Sequence, residues 1–287
     1  MIESPEVEAV RRELERDVIG RRVKAVRFLS EKVCTEHTAE EVNERLQGAK
    51  VTGEVARRGL ELLLSLDKPG AVPEIAAIVL GTGGHLRRHP AKDPLDPNTR
   101  AVIAFTQHRQ EMRLLDFKEG ARIRLLRAED LAAQVPKGID PLQTALSWTD
   151  FSSLLLSLPE PAHLKEFLTS DSAILGVGHM YADEILFNAG LRYDRMTDSL
   201  GRQEVRRLWR AVVEVLHDAV KYRGSTIDEE SGLPGNHYVL PFGDPGQYQN
   251  HHNVYRRHGQ LSPRSRRPIV RVKYRGRWTY YCEQSQV

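Results

Sequence analysis

The 287-residue chain carries 42 Lys or Arg against 39 Asp or Glu, a formal net charge of +3, and is 40% hydrophobic and 28% charged. No window approaches 18 consecutive apolar residues, which excludes a membrane-spanning helix, and the acid-rich start is not expected to be a secretory signal. The two cysteines, Cys34 and Cys282, are too few and too far apart for a disulfide framework and suit a reducing cytoplasm.

The first element, SPEVEAVRRELERDVIG, predicts a helix. Ser4 suits the N-cap and Pro5 the first turn; Val7, Val10, Leu14 and Val18 recur at helical spacing, and Gly20 ends the run. Seven strand-like runs follow: RRVKAVRFL, KVTGEVARRG, LELLLSLD, EIAAIVLG, RAVIAFT, EMRLLDF and RIRLL, separated by turn residues as at DKPG and PAKDPLDPN. Residues 1–130 therefore read as one helix with a β-sandwich or barrel.

Helical periodicity takes over in AEDLAAQ, DFSSLLLSL, AHLKEFLTS, YADEILFNAG and GRQEVRRLWRAVVEVLHDAVKYRG, making residues 131–250 a helical domain that ends in a Gly/Pro/Asn-rich loop over 232–253. The last module, 251–287, holds two short β runs around Arg275–Gly276, a hairpin signal. It carries nine Arg or Lys opposed only by Glu283, interleaved with Tyr255, Tyr274, Trp278, Tyr280 and Tyr281, which points to a polyanion; a solvated basic tail is the plainer alternative. LGVGHMYADE joins a Gly-containing turn to a helix start. Its backbone amides suit a phosphate, and a tight packing turn is the plainer reading.

Taken together, SPEVEAVRREL, DPL at 140–142, GVGHMYADEILFNAGL, RGST at 223–226 and RWTYYCEQSQ, in that order, resemble the formamidopyrimidine-DNA glycosylase and endonuclease VIII family over nearly the whole chain. The resemblance implies an α+β protein: an N-terminal β-sandwich with an N-terminal helix, a helix-two-turn-helix domain and a C-terminal β-hairpin finger. It implies damaged double-stranded DNA as partner and excision of a flipped-out base. A monomer located in the cytoplasm with the nucleoid is expected, with no cofactor.

In that family an N-terminal proline amine attacks the sugar C1′ with a glutamate beside it. The free α-amino group has a pKa of about 7.7–8.0, which suits it to nucleophilic work. Here the proline position is Ile2, too bulky for ordinary removal of the initiator Met, so Met1 is expected to remain. Glu3 matches the catalytic glutamate and Glu6 a supporting carboxylate. For Glu3 the alternative is a simple helix-dipole interaction of about 0.3–1 kcal/mol. A family lysine on a β-hairpin is replaced by Leu60, followed by Glu61. The methionine that fills the gap left by the flipped base is replaced by Thr82, and DFKEGA lacks the Arg-Phe pair of a second gap-filling loop. His85, Arg87, Arg88 and His108 are alternatives for that task.

The zinc finger cysteines are also missing. GQLSPRSRRP stands where a CxxC pair belongs and Ser285 where the last cysteine does, so a hairpin without metal is expected. Arg277 matches the finger arginine that contacts the phosphate beside the lesion, and Lys165 a lysine that reaches the phosphate backbone. His179 replaces an asparagine in GVGN, with a charge expected to change near pH 6.5; Tyr181 reads as core. Three readings follow: a monofunctional DNA glycosylase acting through Glu3, with doubtful lyase activity; a catalytically inactive lesion or abasic-site binding protein; and a fully bifunctional enzyme using the Met1 amine.

Overall fold

The computed structural model describes residues 2–34, 36–134, 137–227 and 237–287; Met1 and residues 232–236 of the expected long loop lie outside the described residues. In chain order the elements are α1 (Ser4–Val18), β1 (Val23–Phe28), α2 (Ala39–Leu46), β2 (Lys50–Arg58), β3 (Glu61–Asp67), β4 (Glu74–Val79), β5 (Gly84–Pro90), β6 (Thr99–Phe105), β7 (Gln110–Asp116), β8 (Arg122–Leu126), α3 (Ala128–Ala133), α4 (Trp148–Leu156), α5 (Leu164–Leu168), α6 (His179–Ala189), α7 (Arg202–Lys221), β9 (Val270–Tyr274) and β10 (Arg277–Tyr281). They fall into two compact units. The first takes residue 2, residues 6–134 and the described part of 223–246; the second takes residues 3–5, 137–222 and 247–287. The described residues of 223–246 group with the sandwich, and the hairpin groups with the helices.

The first unit is a sandwich of two antiparallel four-stranded sheets, ordered β1-β6-β7-β5 and β2-β3-β4-β8. Alternation along the strands turns one face of each sheet inward. Val7, Val10, Leu14 and Val18 of α1 are at most 2% exposed and join Val26, Leu62, Leu64, Ile78, Leu86, Ile103 and Leu114 in one apolar cluster. Each such side chain contributes about 1.5–3 kcal/mol by leaving water. Two elements go beyond the sequence reading. Helix α2 starts at a capping box, Thr38 accepting the Glu41 amide while the Glu41 side chain accepts the Thr38 amide. Strand β5 is polar, GHLRRHP, and its membership in the sheet is set by pairing with β7 rather than by β propensity.

In the second unit α6 is buried nearly all round, so it lies within a helical layer rather than on its surface. Leu208, Ala211, Val212, Val215, Leu216 and Ala219 give α7 one buried face. Strands β9 and β10 pair antiparallel across Arg275–Gly276, both at positive φ (45° and 79°), the backbone a two-residue hairpin turn of matching twist requires. Among the described residues no helix is long and apolar enough to cross a membrane.

Candidate active site and nucleic-acid interface

In the second unit the glycine turn at 176–178 and the start of α6 form a nest of backbone N–H groups. The occupant is internal. Glu3, 2% exposed, accepts from Gly178 at 2.7 Å, Met180 at 3.0 Å and Tyr181 at 3.3 Å. The expectation that these amides suit a phosphate is corrected by that geometry: a carboxylate already provides the negative charge that a helix N-terminus favours. The neighbouring amide of Ser4 donates to Gly176 O at 2.8 Å. A Cβ on Gly178 would stand 2.5 Å from the Glu3 carboxyl carbon, so only glycine lets the acid approach.

His179 is the first residue of α6. Its Nδ1 is buried with no hydrogen-bond partner among the described residues. Burial first, then the charges of Lys165 and Arg277, push the imidazole down to about 4, so it is neutral near pH 7 and the expected titration near 6.5 is corrected. Arg277 opens β10 with its side chain exposed. It is close enough to lower the His179 pKa, and His179 directly follows Gly178, whose amide Glu3 accepts.

Lys165 is different. The resemblance puts it against the phosphate backbone, but the structure buries it to 1% exposure and engages its ammonium with Asp183 at 2.6 Å and Thr279 Oγ1 at 2.7 Å. The other Asp183 oxygen accepts the Tyr280 amide at 2.9 Å. Lys165 therefore positions β10, and Arg277 with it, instead of meeting solvent. Glu184, next on α6, holds the chain ahead of the hairpin by accepting from the amides of Asn253, Val254 and Tyr255 at 2.8–2.9 Å. These two buried acids are site-building residues that the sequence reading missed; the signal was two adjacent carboxylates in an otherwise apolar helix. Tyr181 is fully buried, as expected.

Glu6 lies in the first unit, fully buried, and accepts the Ser225 amide at 2.8 Å. Gly224 has φ +76°, and a Cβ there would meet Glu6 Oε1 at 2.7 Å. Glu6 thus shapes the RGST segment, which is held again by Thr226 Oγ1 donating to Tyr238 O at 2.7 Å. Ile2, 4% exposed, belongs to the apolar core of this unit. Leu60 caps the β2–β3 turn and packs on the same core, while Glu61 is paired with Arg58 at 2.8 Å and Arg124 at 2.6 Å.

The two loops matched to gap filling do meet. A Cβ on Gly81 would lie 2.7 Å from Gly120 backbone, and Thr82 stands exposed at the turn. Of the alternatives for that task, Arg88 turns inward, 2.7 Å from Asp17, and touches His108 at 3.1 Å, whereas His85 and Arg87 line a cleft on the other face of β5.

In the finger, Ser262, Ser265, Cys282 and Ser285 converge. Ser265 Oγ lies 3.2 Å from Cys282 Sγ, and Ser262 Oγ 3.4 Å from Ser285 Oγ. Burial raises the Cys282 thiol pKa, but the hydroxyls of Ser265, Ser285 and Ser262 bring it down to about 7. Three hydroxyls and one thiol do not fit structural zinc, which needs four Cys or His donors. Hydrogen bonds close this knuckle.

The family model described as the formamidopyrimidine-DNA glycosylase N-terminal domain matches residues 1–123, and that of the formamidopyrimidine-DNA glycosylase H2TH domain matches residues 138–231. A formamidopyrimidine-DNA glycosylase of Thermus thermophilus is 34% identical over 100% of this chain and 98% of its own length. One from Herpetosiphon aurantiacus is 31% identical over the whole of both chains. Among solved structures, the Lactococcus lactis Fpg in complex with abasic-site DNA superposes with a TM-score of 0.86 at 22% identity, covering 99% of each chain. Its complex with N7-benzyl-Fapy-dG-containing DNA gives 0.85 at 22% identity and the same coverage. The sequence relatives span the full chain and the structures share its fold; this chain belongs to the formamidopyrimidine-DNA glycosylase family.

Proposed function

We propose that this protein is a DNA repair enzyme that binds damaged double-stranded DNA and hydrolyses the N-glycosidic bond of a flipped-out base, without an efficient strand-cleaving step. The observation that carries the reading is the Glu3 carboxylate, fixed by three amides at the start of α6, the helix that His179 opens. The relatives named formamidopyrimidine-DNA glycosylases and the solved complexes with abasic-site DNA support the substrate class. Arg277 and His179 suit the phosphate beside the lesion, one as a charged donor and the other as a neutral one.

In this reading water adds to the sugar C1′ as the C1′–N bond breaks. The bonding pair leaves with the base, which takes up a proton, and the water proton is lost by way of Glu3. A carboxylate whose charge is held by amides also stabilises the oxocarbenium-like sugar. Ile2 in the apolar core and Leu60 in the hairpin leave neither a secondary amine nor a lysine at the two places where the family keeps them. The same reading has the protein work as a monomer in the cytoplasm, at the nucleoid.

The test uses duplexes carrying a panel of damaged bases or an abasic site, with products resolved with and without alkali and after borohydride. Free base, strand breaks appearing only after alkali, and loss of both in Glu3→Gln are expected. A borohydride-trapped protein–DNA adduct would overturn the monofunctional reading. Tight binding with no product across the panel would make the protein a lesion-binding factor.

A further inference from the structure

The outer face of β5 carries an arginine between two histidines, a feature that the proposed reaction does not use. His85, Arg87 and His89 alternate along the strand and point to one side. With Arg113 of β7, Phe117 and Leu95 they line a cleft of about 420 Å³. That volume lies within the range of small-molecule sites, roughly 300–1,000 Å³.

Among the described residues, Arg87 has no ion-pair partner in this cleft. Arg87 is directly opposite Arg113 across the strand pair, an arrangement of like charges that weakens a sheet. Arg113 is compensated: its guanidinium donates to Glu111 at 2.8 Å and to the carbonyls of Pro94 and Asp93, each at 2.8 Å. Arg87 is half-buried and, among the described residues, has neither a hydrogen bond nor an ion pair. Asp96 also lines the cleft, but it accepts from the Asn98 amide at 2.7 Å and forms no ion pair with Arg87. A half-buried cation facing a second cation is costly to keep unless an anion completes it. The rest of the wall is His237 with the apolar Pro94, Leu95, Leu115 and Phe117, the last edge-on to the His85 ring at a centroid distance of 5.7 Å.

We propose that this cleft binds a mononucleotide-sized phosphate ester, with its phosphate on Arg87 and His89 and its base against Phe117 and Leu95. The proposal goes beyond the base-excision reading and does not depend on it. Arg supplies the planar fork that matches a phosphate, His89 a second donor, and the apolar wall a surface for a heterocycle. A free nucleotide and a nucleotide within a DNA strand present the same chemistry, and the experiment separates them.

Titration calorimetry with 5′-dGMP, with inorganic phosphate and with a single-stranded 12-mer is carried out on the full chain in an Arg277→Ala background, so that strand binding through Arg277 does not add to the signal. Binding of 5′-dGMP that falls at least tenfold in Arg87→Gln assigns the cleft to a free nucleotide. Binding of the 12-mer alone, with the same loss, assigns it to a strand. Arg87→Gln should also melt no lower than its parent, because it removes an uncompensated charge; His89→Gln should weaken the same ligand with the fold intact. Three results would overturn the proposal: no nucleotide or strand binding that Arg87→Gln weakens, inorganic phosphate binding as tightly as 5′-dGMP, or a lowered melting midpoint in Arg87→Gln.

Discussion

Glu3 Oε2 accepts the backbone N–H of Gly178 at 2.7 Å, joining residues 175 positions apart in sequence. The contact caps α6, and in the proposed reaction the same carboxylate also handles a proton. The tasks separate by substitution. Glu3→Gln keeps an acceptor oxygen and loses the charge, so the helix cap weakens by about 0.3–1 kcal/mol. Base release should fall far more, on the order of 10²–10⁴-fold for loss of a proton-handling group. Gly178→Ala should cost both stability and activity, because its Cβ would stand 2.5 Å from the Glu3 carboxyl carbon. Thermal melts beside single-turnover base release measure the two; equal losses in Glu3→Gln would show that the acid is only a cap.

His179 supplies a pH prediction. Its folded pKa, about 4, lies below the ordinary 6.5, so folding favours the neutral ring. The stability linked to this group is fully present above pH 6.5 and is lost as pH falls towards 4. A phosphate near Nδ1 reverses the electrostatics and raises the pKa, so DNA binding below pH 7 should take up a proton. Calorimetry in buffers of different ionisation enthalpy measures that uptake, and His179→Asn should abolish it. An NMR titration of the free protein with a midpoint near 6.5 would refute the depressed pKa.

The sequence was most legible where local pattern and tertiary fate agree. The 3.6-residue repeat of Val7, Val10, Leu14 and Val18 became the buried face of α1, and Arg275–Gly276 became the hairpin turn. Glu3, His179 and Arg277 could be found from motif matches, and they come together in one unit. Three features could not be read in advance. Strand β5 was not among the strand-like runs because its inward residues include Arg88, an arginine made tolerable in the interior by Asp17, which is remote in sequence. Lys165 looked like a surface cation because its partner Asp183 is visible only once α5 and α6 are packed. The grouping of the described residues of 223–246 with the sandwich depends on nonlocal bonds such as Ser225 to Glu6.

Lys165 tests the distinction between contacting DNA and supporting the hairpin. Lys165→Met removes one partner of a buried ion pair, which costs about 3–5 kcal/mol. Burial already pushes the Asp183 carboxyl up to about 7 against the pull of Lys165 and the Tyr280 amide. Without the lysine its pKa should rise further. A carboxyl raised above its ordinary 3.8 contributes stability at low pH that is lost as pH rises through the folded value. The variant should therefore be more stable at pH 5 than at pH 8 in chemical denaturation, and the opposite order would refute the pairing.

Arg277 should behave as the surface cation that Lys165 is not. It is exposed, on a hairpin held by Asp183 and Lys165, so Arg277→Ala should leave the stability within about 0.5 kcal/mol of the parent. If it contacts one phosphate, the slope of log affinity against log salt for an abasic duplex should shrink by about 0.9. An unchanged slope would leave it a solvated residue of a basic hairpin.

The serine knuckle gives the last prediction. Ser262, Ser265 and Ser285 surround Cys282, with oxygen–sulfur and oxygen–oxygen separations of 3.2 and 3.4 Å. A tetrahedral Zn–S₄ site has metal–sulfur bonds of about 2.3 Å, so neighbouring sulfurs lie somewhat further apart than these hydroxyls. The backbone therefore already brings four side chains to one point, and donor chemistry decides whether a metal is held. Replacing the three serines with cysteine should create a site that binds one zinc per chain by elemental analysis. The parent, with one thiol in the knuckle, should purify without stoichiometric zinc. Chelator should lower the melting midpoint of the triple variant and leave that of the parent unchanged. Zinc at one equivalent in the parent, or none in the triple variant, would show that hydrogen bonding in this knuckle does not stand where a metal cage would fit.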